Sequence, residues 1–230
     1  MSHAHGAKPH HDHDHDHDHD HDHDHDETTF QPDIKEPNED WEFLEIAMRE
    51  LLIEKGVFTA REIADKIEEW DGKTPEQGAR IVARAWTEPA FKSRLLADGN
   101  KGVAEMGFEV AGLKLVVLEN TAKVHHVVTC TLCSCYPRTI LGLPPLWYKS
   151  KEYRARAVRE PRAVLAEFGT TIPDKVEVRV VDSTADCRFL VLPRRPAGTK
   201  GWSADKLAGL VTRDSMIGTA VALSVNGERA

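Results

Sequence analysis

Apolar positions between residues 40 and 90 recur at helix spacing. Trp41, Leu44, Met48, Leu51 and Leu52 share one face, and Gly56 follows where a C-terminal cap belongs. Thr59 is placed to cap a second helix with Ile63, Ile67 and Trp70 on one side. Thr74-Pro75 opens a third, through Ile81, Val82, Ala85 and Trp86, because the first helical position needs no N–H. From about residue 113 the period shortens to two and β-branched residues take over. Leu113 to Leu118 and Val124 to Val128 read as strands joined by the turn Glu119-Asn120-Thr121. Tyr148 to Phe168 reads as helix, interrupted near Pro161 and stopped by Gly169. Val176 to Val181 alternates cleanly, and Arg188 to Leu192 is expected to pair with it across the Asp182–Asp186 turn. Ser203 is expected to cap a last helix ending near Val211.

These elements predict an α+β fold. A helical N-terminal arm is expected over residues 38–110, followed by a layered α/β-sheet domain over residues 111–230 that carries a cysteine-claw metal site. The apolar faces of the arm suit either a mini-bundle or a clasp around another subunit. Residues 1–37 are expected to be disordered, because His11-Asp12 through His25-Asp26 alternates two polar residues and has no apolar content to offset ordering. That tract reads as a solvated tail, as a scavenger of late first-row metal ions, or as an affinity tag.

Charge changes the picture once the tail is separated. The net charge of the 230 residues is −8, and residues 1–27 hold nine acids against Lys8 alone, which is the whole of it. A neutral body gives no electrostatic reason to expect nucleic acid or an anionic membrane as partner. No apolar run approaches the roughly 18 residues of a membrane span, and the first residues lack a secretory apolar stretch. A cytoplasmic protein is expected. Four cysteines agree with that, since three lie within six residues and Cys187 stands alone, which is poor material for a disulfide framework.

The chemistry is concentrated in Cys130-Thr131-Leu132-Cys133-Ser134-Cys135, directly after a strand. Three thiols so spaced suit convergence on one metal ion. A zinc knuckle would need a fourth ligand, with His125, His126 and Cys187 the candidates, and three inert buried cysteines or a metal-storage protein are the plainer alternatives. The short bridge Cys133-Ser134-Cys135 suggests a more specific arrangement. Bound through three sulfurs, it must fold tightly and bring the backbone nitrogens of Ser134 and Cys135 to the ion. Five donors then surround an octahedral centre with one open position. Such anionic donors favour a trivalent ion, and three thiolates plus two amidates against it leave a charge of roughly −2, so cations are needed nearby. Arg138 is the local candidate, with others coming from elsewhere in the fold or from a partner.

Cys130-Thr131-Leu132-Cys133-Ser134-Cys135-Tyr136-Pro137 resembles the metal-binding signature of the nitrile hydratase α-subunit family. The resemblance continues through Ile140 to Ser150, Tyr153 to Arg156, Arg159 to Arg162, Arg195 to Thr199 and Val211 to Asp214. It implies that Cys130 is an unmodified thiolate ligand, Cys133 a ligand oxidised to sulfinic acid and Cys135 one oxidised to sulfenic acid. Ser134 and Cys135 would also bind through backbone nitrogen. The metal implied is cobalt(III), one per subunit, rather than iron(III), on the association of Thr131 and Tyr136-Pro137 with the cobalt enzymes. The activity implied is that of a lyase that hydrates a small nitrile to its amide, with Cys135 and Ser134 carrying the reaction. The oxygen nucleophile is either the Cys135 sulfenate or water activated beside it. The partners implied are a β-type subunit, in a heterodimer or heterotetramer, and an activator chaperone for metallation.

Some positions depart from the family pattern. Arg138 stands where Trp is frequent, and Glu109-Val110-Ala111-Gly112 replaces a stretch that usually supplies Gln. Cys135-Tyr136-Pro137-Arg138 and the His/Asp-rich start also resemble the γ-subunit of thiocyanate hydrolase, the second reading of function. His125 and His126 face opposite sides of their strand, so one is expected in the core and the other at a surface or interface. Cys187 is expected as a buried strand residue, and Arg154, Arg156, Arg159 and Arg162 as a solvated or subunit-facing helix stretch.

Overall fold

The computed structural model describes residues 39–110 and 112–228. The tail, with its expected disorder and metal scavenging, therefore lies outside the described residues. The chain divides into two compact units, up to Lys55 and from Gly56 onward. The described part of the first is helix α1 (Asp40–Glu54), whose Trp41, Leu44, Met48 and Leu51 are exposed. Gly56 follows it in the left-handed region at φ 68°.

The second unit begins with α2 (Ala60–Asp71), capped by Thr59, whose hydroxyl accepts from the Glu62 N–H while the Glu62 carboxylate accepts from the Thr59 N–H. Next come α3 (Pro75–Thr87), α4 (Pro89–Ala97) and α5 (Gly99–Ala104), the last two not foreseen from the sequence. Strands β1 (Lys114–Glu119) and β2 (Val124–Thr129) follow. After the cysteine loop come α6 (Arg138–Leu141), α7 (Leu146–Lys149), α8 (Lys151–Arg159) and α9 (Pro161–Glu167). The chain closes with β3 (Glu177–Asp182), β4 (Cys187–Leu192), α10 (Ala204–Ala208) capped by Ser203, and the unforeseen α11 (Arg213–Ile217). The mixed helix-and-strand class is the one expected.

Strand pairing differs from expectation. β3 and β4 form no hairpin: β2 pairs with β3 and β1 with β4, both in parallel. Alternation marks a segment as strand but does not name its partner. Here the strands on either side of each short turn pair outward, and their parallel partners are reached by the long crossovers such pairs require. The β2-to-β3 crossover contains the cysteine loop and α6 to α9, which puts the loop at the carboxyl end of a parallel strand. In open α/β sheets that end is where ligands bind.

The core joins helices expected in the arm to the strands. Ile81, Val82, Ala85, Phe91 and Leu95 share one cluster with Leu115, Val117, Val128, Leu190 and Leu192. The apolar stripe of α3 is covered chiefly by α10, with α4, α6 and α11, and the compact unit that holds it runs from Gly56 onward. Each such fully buried aliphatic or aromatic side chain contributes about 1.5–3 kcal/mol of transfer free energy.

Both histidines of β2 are buried, which corrects the expectation that one would face outward. Asn120 sits between them: its Nδ2 donates to His125 Nδ1 at 3.1 Å, and its Oδ1 accepts from the His126 N–H at 2.7 Å and from His126 Nδ1 at 3.2 Å. His125 Nε2 donates to the Gly218 carbonyl at 2.7 Å. Gly218 has φ 92°, and a Cβ there would lie 1.9 Å from the His126 carbonyl oxygen, so α11 can close on β2 only through glycine. Burial holds both imidazoles below their ordinary value of 6.5; the Arg179 charge adds to this at His126, and the Gly218 bond opposes it at His125. A proton on His125 Nδ1 would also face the Asn120 N–H. The neutral pair therefore contributes stability that is complete above pH 6.5 and is lost as the pH falls from there through the lowered folded values. The urea midpoint is expected to drop between pH 7.5 and 5, with a shallower drop in His125→Gln; equal slopes in the two proteins would count against the network.

Candidate metal centre

Leaving β2 at Thr129, the chain turns through Cys130, Cys133 and Cys135. All three sulfurs lie within 4.8 Å of one another, and all are free thiols. Cys130 is buried, Cys133 exposed and Cys135 half-buried. The sulfur of Cys133 is 3.4 Å from that of Cys130 and 3.2 Å from that of Cys135. Two sulfurs held about 2.3 Å from one ion stand about 3.3 Å apart at a right angle and about 3.8 Å apart at a tetrahedral angle. The spacing thus fits an octahedral edge better than a zinc knuckle. No fourth Cys, His or carboxylate joins the cluster among the described residues, and both histidines are engaged elsewhere.

The loop is shaped by hydrogen bonds from several elements. Asp182, paired with Thr129 at the end of the β2–β3 ladder, accepts from the Thr131 N–H at 2.9 Å and from the Thr131 hydroxyl. Arg154 Nη1 reaches the Thr131 carbonyl at 3.4 Å. Tyr148 donates to the Cys135 carbonyl at 2.8 Å. Of these, Arg154 was read as a solvated or subunit-facing residue, and Tyr148 and Asp182 only as ends of elements.

The thiols are electrostatically unequal. Hydrogen bonds from the Cys135 and Cys130 sulfurs, helped by the Cys135 and Ser134 N–H groups, hold the Cys133 thiol below its ordinary value. Burial pushes the Cys135 thiol up to about 12; hydrogen bonds with Cys133 and Cys130 add to this, and the charge of Arg188 opposes it.

A cavity of about 330 Å³ opens beside the loop. Cys133, Ser134 and Cys135 line it together with Arg138, Arg188, Thr139 and the apolar Trp70, Val110 and Leu113. Among the described residues that line it are two cations and no acid. Arg138 is exposed at its rim, as the sequence suggested. Arg188 was missed: it lies on β4, far away in the chain, and its pattern marks only a strand. Cys187, just before it, is half-buried and opens β4 rather than sitting in the core.

Residues 39–220 match the family described as nitrile hydratase, alpha chain. The chain belongs to this family. Among nitrile hydratase relatives, the cobalt-containing subunit alpha of Pseudonocardia thermophila is 50% identical over 182 residues, covering 78% of this chain and 89% of its own length. The thiocyanate hydrolase subunit gamma of Thiobacillus thioparus is 46% identical over 205 residues, 83% of this chain and 84% of its own. A solved structure of recombinant thiocyanate hydrolase with partially modified cobalt centres matches with a TM-score of 0.78 at 43% identity, over 84% of this chain and 95% of its own. Metal-dependent nitrile hydration is the chemistry of the nitrile hydratase family, and the cysteine loop described above is its metal-binding cluster in this chain.

Proposed function

We propose that the chain is the metal-carrying subunit of an enzyme that hydrates small nitriles, with one cobalt(III) ion held by the sulfurs of Cys130, Cys133 and Cys135 and by the main-chain nitrogens of Ser134 and Cys135. The observation that carries this is the pair of sulfur separations, 3.2 and 3.4 Å, at a strand's carboxyl end beside a cavity. Cobalt rather than iron rests on the naming of the relatives as cobalt-containing. When bound, the ion supplies Lewis acidity that makes a nitrile carbon electrophilic towards oxygen.

The chain's own residues do the rest. Trp70, Val110 and Leu113 give the cavity an apolar wall for the organic part of a neutral nitrile. Arg138 and Arg188 offset the anionic ligand set. Cys133 as sulfinate and Cys135 as sulfenate complete the site, and the nucleophilic oxygen is that of Cys135 or of water beside it. The sulfinate step is not readily reversed, so Cys133 is a permanent modification. Leu132, 86% exposed, and the exposed Cys133 leave the outer side of the loop uncovered by this chain. A β-type subunit is the cover proposed, with an activator chaperone serving metallation before it closes. Among the described residues no helix is long and apolar enough to cross a membrane, and free cysteines suit a cytoplasmic setting.

The two arginines and the absence of acids in the cavity favour a second reading, a thiocyanate-hydrolysing γ-type subunit. Metal analysis, intact mass and peptide mapping of the co-purified complex test the first. Cobalt, two added oxygens on Cys133, one on Cys135 and none on Cys130 are expected, together with conversion of a small nitrile to its amide. Stoichiometric zinc with three unoxidised cysteines in an active, partner-bound preparation would refute the claw.

A further inference from the structure

Two anchors tie the cysteine loop to the rest of the unit at its ends. Asp182 holds Thr131 on the strand side, and Tyr148 holds Cys135 where the chain leaves for α6. The second anchor reaches a ligand residue directly. Tyr148 is fully buried, with its ring against Tyr136 at 5.3 Å in a T-shaped pair and against Tyr153 at 5.7 Å. Packing on two sides leaves that ring no other rotamer without opening the core, so its hydroxyl is delivered to one place, 2.8 Å from the Cys135 carbonyl oxygen. Cys135 is also the residue from which two donors are required, its sulfur and its amide nitrogen. Both hang on one Cα, and a rotation of that residue would move both.

We propose that Tyr148 is the positioning residue of the claw: its hydrogen bond fixes the main chain of Cys135, so that the sulfur and nitrogen of that residue converge on the point shared by Cys130 and Cys133. The inference rests on reading the cluster as a metal claw. Ligands locked before metal arrives lose little freedom on binding, and an unlocked ligand lets the ion leave sooner. Tyr148 touches neither substrate nor metal and acts through Cys135.

Tyr148→Phe removes the donor and keeps the ring packing. A matched comparison exists in Tyr153, also buried, whose hydroxyl donates to the Val128 carbonyl at 2.7 Å. Val128 is held by the β2–β3 ladder in any case, so Tyr153→Phe loses the same kind of bond without freeing a ligand. The full chain in its complex, freed of metal and loaded with cobalt(II) chloride under anaerobic conditions so that the ion stays exchangeable, is challenged with excess chelator, and metal release is followed through the sulfur-to-metal absorption band. Tyr148→Phe is expected to release cobalt about tenfold faster or more and to shift the band. Tyr153→Phe is expected to retain the wild-type rate and band, although both variants lower Tm. Wild-type release in Tyr148→Phe, or equal acceleration in the two variants, overturns the proposal. So does a Tyr148→Phe chain that does not fold, because the bond would then serve the fold and not the claw. Failure of the wild-type chain to take up cobalt would instead defeat the reading of the cluster itself.

Discussion

Cys130→Ser is expected to lower nitrile turnover by at least roughly a thousandfold and to strip most cobalt from the purified complex. Cys130 is 1% exposed at the root of the loop, and its sulfur sits 3.4 Å from that of Cys133. Serine offers a harder, shorter donor that stays protonated at neutral pH, which breaks a soft anionic set at its most rigid member. A Lewis acid supplies several kcal/mol of transition-state stabilisation, and about 1.4 kcal/mol is a factor of ten in rate. Losing the ion alone therefore accounts for about three decades. Cobalt per chain and kcat on a small aliphatic nitrile are measured on one preparation. A variant that keeps full cobalt and more than a tenth of the turnover would remove Cys130 from the ligand set.

The second large effect is expected at Arg138. Its side chain is exposed at the rim of the cavity beside Cys133 to Cys135, and Arg188 is the other cation there. A cation in that position either attracts an anionic substrate or neutralises the ligand set. Neutralisation is the more demanding task, because the proposed set of three sulfur and two amidate ligands carries a charge that must be balanced whatever the substrate. Arg138→Trp is accordingly expected to lose several-fold in cobalt retention or cysteine oxidation, and to change the ratio of nitrile to thiocyanate turnover by less. Steady-state rates on both substrates, normalised to cobalt content, provide the measurement. Wild-type thiocyanate turnover above nitrile turnover, abolished in a fully metallated variant, would make this a thiocyanate-hydrolysing subunit instead.

The residues proposed to hold the metal were legible in the sequence because they are local. Cys130, Cys133 and Cys135 span six positions, and a tight loop of that spacing brings their sulfurs together. The helices capped by Thr59 and Ser203, the helix opened by Pro75 and the four strands were legible for the same reason, since period and capping are short-range properties. The tertiary structure decided what lies across distance. Period two identified β3 and β4 but not their partners: each sits beside a strand more than fifty residues earlier rather than beside the other. That choice brings Asp182 under Thr131 and places Arg188 in the cavity wall. Tyr148 looked like the start of a helix, and only the packing of the aromatic cluster turns its hydroxyl onto Cys135. One of His125 and His126 was expected at a surface or interface, because strand alternation gives them opposite faces; α11 closes on β2 at Gly218 and Asn120 bonds both histidines, so both are buried. The proposed donors could be read from composition and spacing. Their support could not, because it depends on which distant side chains the fold delivers to a loop without a backbone ladder of its own.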